Sequence, residues 1–476
     1  MTEMDFTARM RRKEEMSLGD RISFVYRLSM PAILAQISEI IMQYIDAAMV
    51  GVLGAGASAA IGLVSSSTWL FGGVMRAVAS GFSVQVAHAV GAGEYKHARS
   101  IFRQALTSAV VFSLGLVLIG IAYGNVLPRW LGADPSIWTD ARNYFIFFCI
   151  FIPARIISMV VMNMLQCSGN MKVPSILFSL ECVLDVIFNA LLIFPTRQIT
   201  LAGFTFMMPG AGLGVLGAQL GTSLAVVVIT VYGLWYAVTK SSILALNHES
   251  GSWLPQKDVV DRAFRIGAPM AMESSALCAA QVLSTKIVAP LGTIAIAANS
   301  FAVTAESICY MPGYGIASAA TTMVGQAVGA RRSDLAKSFA WLTTLIGVLI
   351  MTCTGVAMYF LCPYVFEFLT PVPEVQRLGA EVLRIELLAE PLFAASIVAT
   401  GALRGAGDTF IPGILNLVSI WGVRLTLAFF LTRTMGLKGM WIAMASELCF
   451  RGILFLIRLK RGKWLEKLTE AEKAAA

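Results

Sequence analysis

The sequence predicts an all-α membrane protein, with twelve transmembrane helices arranged as two pseudo-symmetric lobes of six. Three observations predict it. The 476-residue chain is 57% hydrophobic and only 13% charged, with a mean hydropathy of +0.75; a soluble globular chain carries about a quarter charged residues. Apolar stretches long enough to cross a bilayer recur along its whole length. One half of the chain also repeats the other at a fixed spacing of 238 residues. Pro31 matches Pro269, Gln43 matches Gln281, and Ala89-Val90-Gly91-Ala92 matches Ala327-Val328-Gly329-Ala330. Pro153/Pro391, Gly169/Gly407 and Pro174/Pro412 follow in the same register, with no gap from Arg27/Arg265 onward. Such a duplication implies two like bundles with a path between them.

The spans follow in order. The first, 25–50, contains Pro31 and carries Glu39, Gln43 and Asp46 at spacings of four and three, on one helical face. The second, 58–90, has Arg76 near its middle. The third is 97–127, and the fourth, 137–166, has Arg155 just after Pro153. The fifth, 172–196, carries Glu181, Asp185 and Asn189 at spacings of four, again one face. The sixth, 211–239, offers Gln219 and Thr222. The seventh, 261–290, repeats the first and holds Pro269, Glu273 and Gln281. The eighth, 297–328, holds Glu306; the ninth is 335–366; the tenth, 375–403, has Glu390 before Pro391. The eleventh, 411–433, holds Arg424. In the twelfth, 437–459, Glu447 and Arg451 stand one turn apart and read as a structural ion pair.

These spans divide the chain into an N-terminal segment (1–24), an N-lobe (25–239), a polar inter-lobe linker (240–260), a C-lobe (261–459) and a tail (460–476). The N-terminal segment reads as charged and helical over Met10 to Asp20, without the short apolar core of a cleaved signal peptide. The formal net charge of +8 does not point to nucleic acid, because the basic residues sit in short loops and tails. Arg9, Arg11, Arg12 and Lys13, then Lys96 and Arg99, Lys240, Lys257 and Arg262, Arg331 and Arg332, and finally Arg458, Lys460 and Arg461 all fall on one side of a twelve-span chain. The turns 51–57 and 289–296 on the other side carry no acidic or basic residue. The positive-inside rule then puts both termini in the cytoplasm of a multi-pass protein of the cell inner membrane. Eight cysteines lie mostly in apolar segments without paired spacing, and His88, His97 and His248 are scattered; neither a disulfide framework nor a zinc site is indicated. No phosphate loop, His-Glu-x-x-His or Gly-x-Ser-x-Gly motif is present, so an enzyme is not expected.

Charges inside the hydrocarbon are costly and default to functional roles. The acidic faces of spans one and five sit in the same half. Asp46, Asp185 and Glu181, with Gln43, Asn189 and Thr222, therefore form a candidate cation site. Close carboxylates share a proton more readily than they hold two charges, and hard oxygen ligands also suit sodium. The repeat places Ser284 opposite Asp46 and Val423 opposite Asp185, so the acid pair belongs to one half only. Pro31 removes a backbone bond and permits a hinge in span one. Glu39, Arg76, Arg155, Glu273, Gln281, Glu306, Glu390 and Arg424 are candidate cavity residues.

Several short runs carry a resemblance to a known family. They are Asp46-Ala47-Ala48-Met49-Val50-Gly51 with Leu53-Gly54, then Val90-Gly91-Ala92-Gly93 and its repeat Val328-Gly329-Ala330. Leu165-Gln166-Cys167-Ser168-Gly169-Asn170 is repeated as Leu403-Arg404-Gly405-Ala406-Gly407-Asp408-Thr409, and Gly214 to Thr222 opens span six. In order, spacing and duplication the chain resembles the multidrug and toxic compound extrusion (MATE) family over about 25–460. The resemblance implies a V-shaped pair of six-helix lobes, alternating access, and export of amphipathic, often cationic, small molecules against proton or sodium entry, with no cofactor and a monomer embedded in the bilayer. Asp46, Asp185 and Thr222 match acidic and hydroxyl positions of its DinF-like branch. Glu181 stands where that branch often has asparagine. Glu273 lies in the helix whose glutamate serves the NorM-like branch, but about one turn nearer Pro269. A flippase of lipid-linked envelope precursors is the alternative expectation. It would need Arg76, Arg155 and Arg424 to converge on one cationic cavity.

Overall fold

The computed structural model describes residues 3–131, 134–201, 204–247, 251–466 and 468–470; His248, Glu249 and Ser250 of the linker and residues 471–476 of the tail lie outside them. A short helix α1 (Glu3–Arg11) precedes α2 (Leu18–Gly51), α3 (Ala55–Ala92), α4 (Tyr95–Gly124) and a single turn, α5 (Leu127–Trp130). The fourth span is a broken pair, α6 (Trp138–Ile150) and α7 (Ile152–Cys167), bent by 49°. Next come α8 (Lys172–Leu192), a hairpin of β1 (Pro195–Leu201) and β2 (Phe204–Ala211), and α9 (Gly214–Thr239). The second half repeats this order with α10 (Lys257–Val288), α11 (Thr293–Gly329) and α12 (Ser333–Leu369). Its broken pair is α13 (Pro373–Leu387) and α14 (Glu390–Gly405). The chain closes with α15 (Phe410–Leu417), a π-helical stretch (Val418–Arg424), α16 (Leu425–Met435) and α17 (Leu437–Arg461).

All twelve expected spans are helical. Ten are long and apolar enough to cross a bilayer by composition, and α6–α7 makes eleven as one bent span. The α13–α14 pair is more polar, carrying Glu374, Glu381, Glu386 and Glu390, but it occupies the repeat position of α6–α7. Both breaks fall just before the matched prolines Pro153 and Pro391, where a ring without an N–H cannot continue the preceding turn.

Three features depart from or add to the expected elements. The helix expected over Met10 to Asp20 is two helices. Lys13 takes a left-handed backbone between them, and Ser17 restarts the chain with a reciprocal capping box to Asp20. The segment between spans five and six forms an antiparallel hairpin. The eleventh span is interrupted by the π-helical stretch that ends on Arg424.

The hydrophobic core is split between the halves. One cluster joins α3, α4, α6 and α7 around Phe102, Phe145 and Met164. A second joins the N-terminal part of α2 with α11, α12 and α14 and includes Phe6, Phe24 and Phe339. Between the halves, α3 packs on α10 and α2 packs on α11. Contact is closest on the face that carries both chain ends and the linker. There α3 crosses α11 with no side chain between the backbones. A Cβ on Gly91 would strike the carbonyl of Gln326, and one on Gly329 would strike the carbonyl of His88. Gly91/Gly329 and His88/Gln326 are repeat-equivalent pairs, so the crossing is reciprocal. Its hydrogen bonds are reciprocal too. His88 Nε2 lies 2.8 Å from the Gly405 carbonyl, and Gln326 Nε2 donates to the equivalent Cys167 carbonyl at 3.1 Å. α1 covers this seam: Thr7 donates to Gln326 Oε1 at 3.0 Å, and Arg11 stacks over Tyr95 at 5.3 Å.

Candidate cation site and the interlobe cleft

Inside the N-terminal half, α2 and α8 run side by side. The i, i+4 spacing puts Asp185 and Asn189 on the face of α8 that meets α2. The Asn189 amide Nδ2 donates to Asp46 Oδ1 at 2.8 Å and to Asp185 Oδ2 at 3.0 Å. One nitrogen thus holds two carboxyls together. Asp185 and Asn189 are fully buried, and Asp185 Oδ1 and Asn189 Oδ1 have no donor among the described residues. Buried acceptors are normally satisfied. These two, beside Asp46, form an oxygen cluster that a proton or a hard cation would complete. α9 closes on the site through Gly221, where a Cβ would collide with Asn189 Oδ1.

The remaining expected members sit around this core in different ways. Thr222 donates to its own helix at the Ala218 carbonyl, 3.1 Å away, so its hydroxyl is not turned over to the acids. Glu181 is one turn up α8, and the charge of Arg155 reaches both it and Asp185. Arg155 itself donates to Ser223 Oγ at 3.4 Å and lies 5.1 Å from the Phe148 ring centroid, while Gln219 donates to the same hydroxyl at 2.8 Å. Gln43 is exposed and makes no bond to the acid pair. Pro31 lies within α2, which runs through it as one uninterrupted helix.

The C-terminal half holds Glu273, Gln281, Glu306, Glu390 and Arg424 of the candidate cavity residues. Glu273 borders a small pocket together with Leu277, Asn416 and Trp421. Glu273 is buried and accepts from Asn416 Nδ2 at 2.6 Å and from Arg404 Nη2 at 3.3 Å, tying α10 to α14 and α15. Arg424 pairs with Glu447 at 2.6 Å, and Arg451 pairs with the same carboxylate at 3.1 Å. Glu447 is fully buried, so the expected Glu447–Arg451 pair exists but is shared with a second arginine. Glu306 and Glu390 lie inside the lobe at 5% and 1% exposure, beside a glutamate that sequence reasoning passed over, Glu386, which is fully buried. No carboxyl oxygen of Glu386 or Glu390 has a hydrogen-bond partner among the described residues. The signal for Glu386 was present as an acid one turn before Glu390, inside a span otherwise apolar toward its end. Among the described residues, no group of three His, Cys, Asp or Glu side chains is close enough to hold a metal ion.

The three arginines sit on different elements, Arg76 on α3, Arg155 on α7 and Arg424 at the end of the π-helical stretch. Arg424 pairs with Glu447, Arg155 donates to Ser223 of α9, and Arg76 is exposed on α3. Gln281, on α10, is exposed.

The MatE family profile matches residues 31–191 and again 269–430, the two copies falling where the internal repeat places them. The chain belongs to the MatE family. It resembles a probable multidrug resistance protein NorM of Thermotoga maritima, 26% identical over 445 residues and 92% of each chain. It also resembles the multidrug resistance protein MdtK of Yersinia pestis, 25% identical over 452 residues, covering 92% of this chain and 94% of that one. A MATE protein crystallised in a bent conformation superposes with a TM-score of 0.82 at 18% identity, covering 97% of this chain and 98% of the other. Membership of this family makes the chain a multi-pass membrane transporter and not an enzyme.

Proposed function

We propose that this MatE-family chain is an antiporter that exports amphipathic small molecules in exchange for an entering cation, by alternating access. The observation that carries the reading is the shared amide bridge: Asn189 holds Asp46 and Asp185 together in one half of the molecule, with unfilled buried acceptors beside them. A proton or sodium ion arriving from outside neutralises the pair. α2 then shifts about Pro31, the substrate site weakens, and the substrate leaves outward. Two or more clustered acids favour the proton as coupling ion. The acid pair is also what supports placement in the DinF-like branch. One charge moving inward across 100 mV supplies roughly 2.3 kcal/mol, about a fifty-fold gradient for a neutral substrate.

Loop charges support an inner-membrane location with both termini cytoplasmic. The reciprocal crossing of α3 and α11 would then be the closed cytoplasmic side. The pairing of Arg424 with Glu447 weighs against the flippase reading, which calls for one cationic cavity. The second reading with an observation behind it puts coupling in the C-terminal half, at Glu386 and Glu390, whose carboxyl oxygens are buried without donors. Dye export by proteoliposomes carrying Asp46→Asn, compared with Glu386→Gln and Glu390→Gln, tests both. Loss of gradient-driven export in Asp46→Asn alone supports the first reading, and loss in the glutamine variants alone supports the second.

A further inference from the structure

Helix α1 lies over the reciprocal crossing of α3 and α11 and is tied to both halves of the molecule. On one side the tie is apolar. Phe6 and Met10 are buried in the cluster built from α2, α11, α12 and α14. The Phe6 ring stacks on Phe24 of α2 with centroids 4.8 Å apart, and Phe24 meets Phe339 of α12 edge-on at 5.7 Å. On the other side a single cation reaches the first half. Arg11 lies over the Tyr95 ring of α4, and its guanidinium fills the space where a Cβ on Gly93 would fall. Between the two ties stands Thr7, itself buried. It donates to Gln326 Oε1 at 3.0 Å, and the same amide donates from Nε2 to the Cys167 carbonyl at the end of α7. A carbonyl can only accept, so the amide nitrogen must face Cys167 and the amide oxygen is left for the Thr7 hydroxyl.

The repeat shows what is particular to α1. The spacing of 238 residues puts Leu244 of the linker opposite Phe6. Leu244 is also fully buried, in the cluster that joins α3, α4 and α7. Each half therefore has an apolar plug on the face that carries the chain ends and the linker. Beside Leu244, Arg99 of α4 donates to the Ile243 carbonyl at 2.9 Å, a bond within one half. α1 instead ties one half to the other, through Arg11 and through the chain from Thr7 to Gln326 to Cys167.

We propose that α1 is an autoinhibitory latch, which keeps the seam between α3 and α11 shut and must let go on one side before that face opens. Contacts made in one conformation alone shift the population toward it. Opening parts α3 from α11, so α1 cannot keep both ties. Two buried apolar side chains outweigh one cation over a ring, so α1 stays in the apolar cluster and releases at Arg11. This inference rests on the alternating-access reading above, in which this is the cytoplasmic face.

A native thiol reports the opening. Cys167 is 4% exposed and lies at the seam, where the Thr322 hydroxyl of α11 donates to the neighbouring Gln166 carbonyl at 3.2 Å. Cys149, fully buried inside the first half beside Gly120 of α4, is the control. The full chain in detergent is treated with a water-soluble maleimide, and the labelling rate of each cysteine is read by peptide mass spectrometry. The variants are Thr7→Val, Arg11→Gln and the two combined. Arg12→Gln matches the charge change at an exposed residue that pairs with Glu14. Each single variant is expected to label Cys167 about threefold faster, and the double about tenfold, through loss of one hydrogen bond and one cation–ring contact. Arg12→Gln labels like the native chain. Cys149 stays unlabelled in every variant, which shows that the lobe packing is kept. Native-like labelling of Cys167 in the double variant, equal acceleration by Arg12→Gln, or labelling of Cys149 in step with Cys167 would overturn the latch. The labelling needs no substrate and no gradient, so it judges the latch whether or not the chain exports dye.

Discussion

Replacing Gly221 with alanine probes the acid pair without touching any polar group. In the structure the new Cβ would fall on Asn189 Oδ1 and lie 2.9 Å from Asn189 N and 3.0 Å from its Cγ. No flexible chain end is available to yield. The obstruction is the amide that bridges Asp46 and Asp185, flanked by its own helix backbone. Overpacking of this kind costs about 1–3 kcal/mol. Each hydrogen bond from an amide to a charged carboxylate is worth about 1.5–3 kcal/mol, and turning Asn189 away forfeits at least one. A total of about 3 kcal/mol or more is therefore expected. Thermal unfolding in detergent should shift clearly downward, and gradient-driven dye export should fall at least tenfold. Combining Gly221→Ala with Asn189→Ala separates the two costs. The double variant makes room for the methyl and should recover stability, but not export. A Gly221→Ala protein that unfolds and exports like the native chain would refute the reasoning, since it would show that the Asn189 bridge is neither fixed nor needed.

Further predictions follow from the same geometry. Glu447→Gln leaves Arg424 and Arg451 buried on a neutral partner. Breaking such a pair costs about 3–5 kcal/mol, and thermal unfolding should register it. Glu381→Gln removes an ion pair with Lys438 whose side chains are 41% and 46% exposed, and should cost about 0–1 kcal/mol in the same assay. Gly91→Val puts atoms where the Gln326 carbonyl lies; the protein should reach the membrane yet fail to close that face. Cysteines introduced on the facing ends of α3 and α11 should then crosslink poorly, and native-like crosslinking would contradict the reciprocal crossing. Glu386→Gln and Glu390→Gln each neutralise a carboxyl that has no hydrogen bond to lose, so stability should be unchanged or higher.

The twelve spans were legible because bilayer thickness fixes helix length, and apolar runs of that length are conspicuous. The tenth span is the instructive case. Its acids hide it from hydropathy, and only its match to the fourth span, with Pro391 answering Pro153, marks it. The acid faces were equally legible: Asp185 and Asn189 are four apart, and helical geometry alone puts them together. What they face was not. That Asn189 rather than Thr222 bridges the carboxyls depends on how closely α9 approaches through Gly221, a tertiary fact. Glu447 and Arg451 read as a pair from spacing, but the second arginine comes from α-helical neighbours 23 residues away in sequence, through a π-helical stretch that no periodicity announces. The partners of Glu273, Glu306 and Glu390 were hidden for the same reason. A buried acid in a span is visible in sequence, whereas the direction it faces is set by packing. Glu273 found Arg404 and Asn416, and Glu390 turned into the lobe against Gly355 of α12.

The central claim is that cation entry at Asp46 and Asp185 drives export. It is tested most directly by efflux of a fluorescent cationic dye from proteoliposomes, with a pH gradient and a sodium gradient imposed separately. The account predicts efflux under one gradient, the proton gradient, and its loss in Asp46→Asn and in Asp185→Asn while both variants remain folded. Full export in both variants under the same gradient would contradict it.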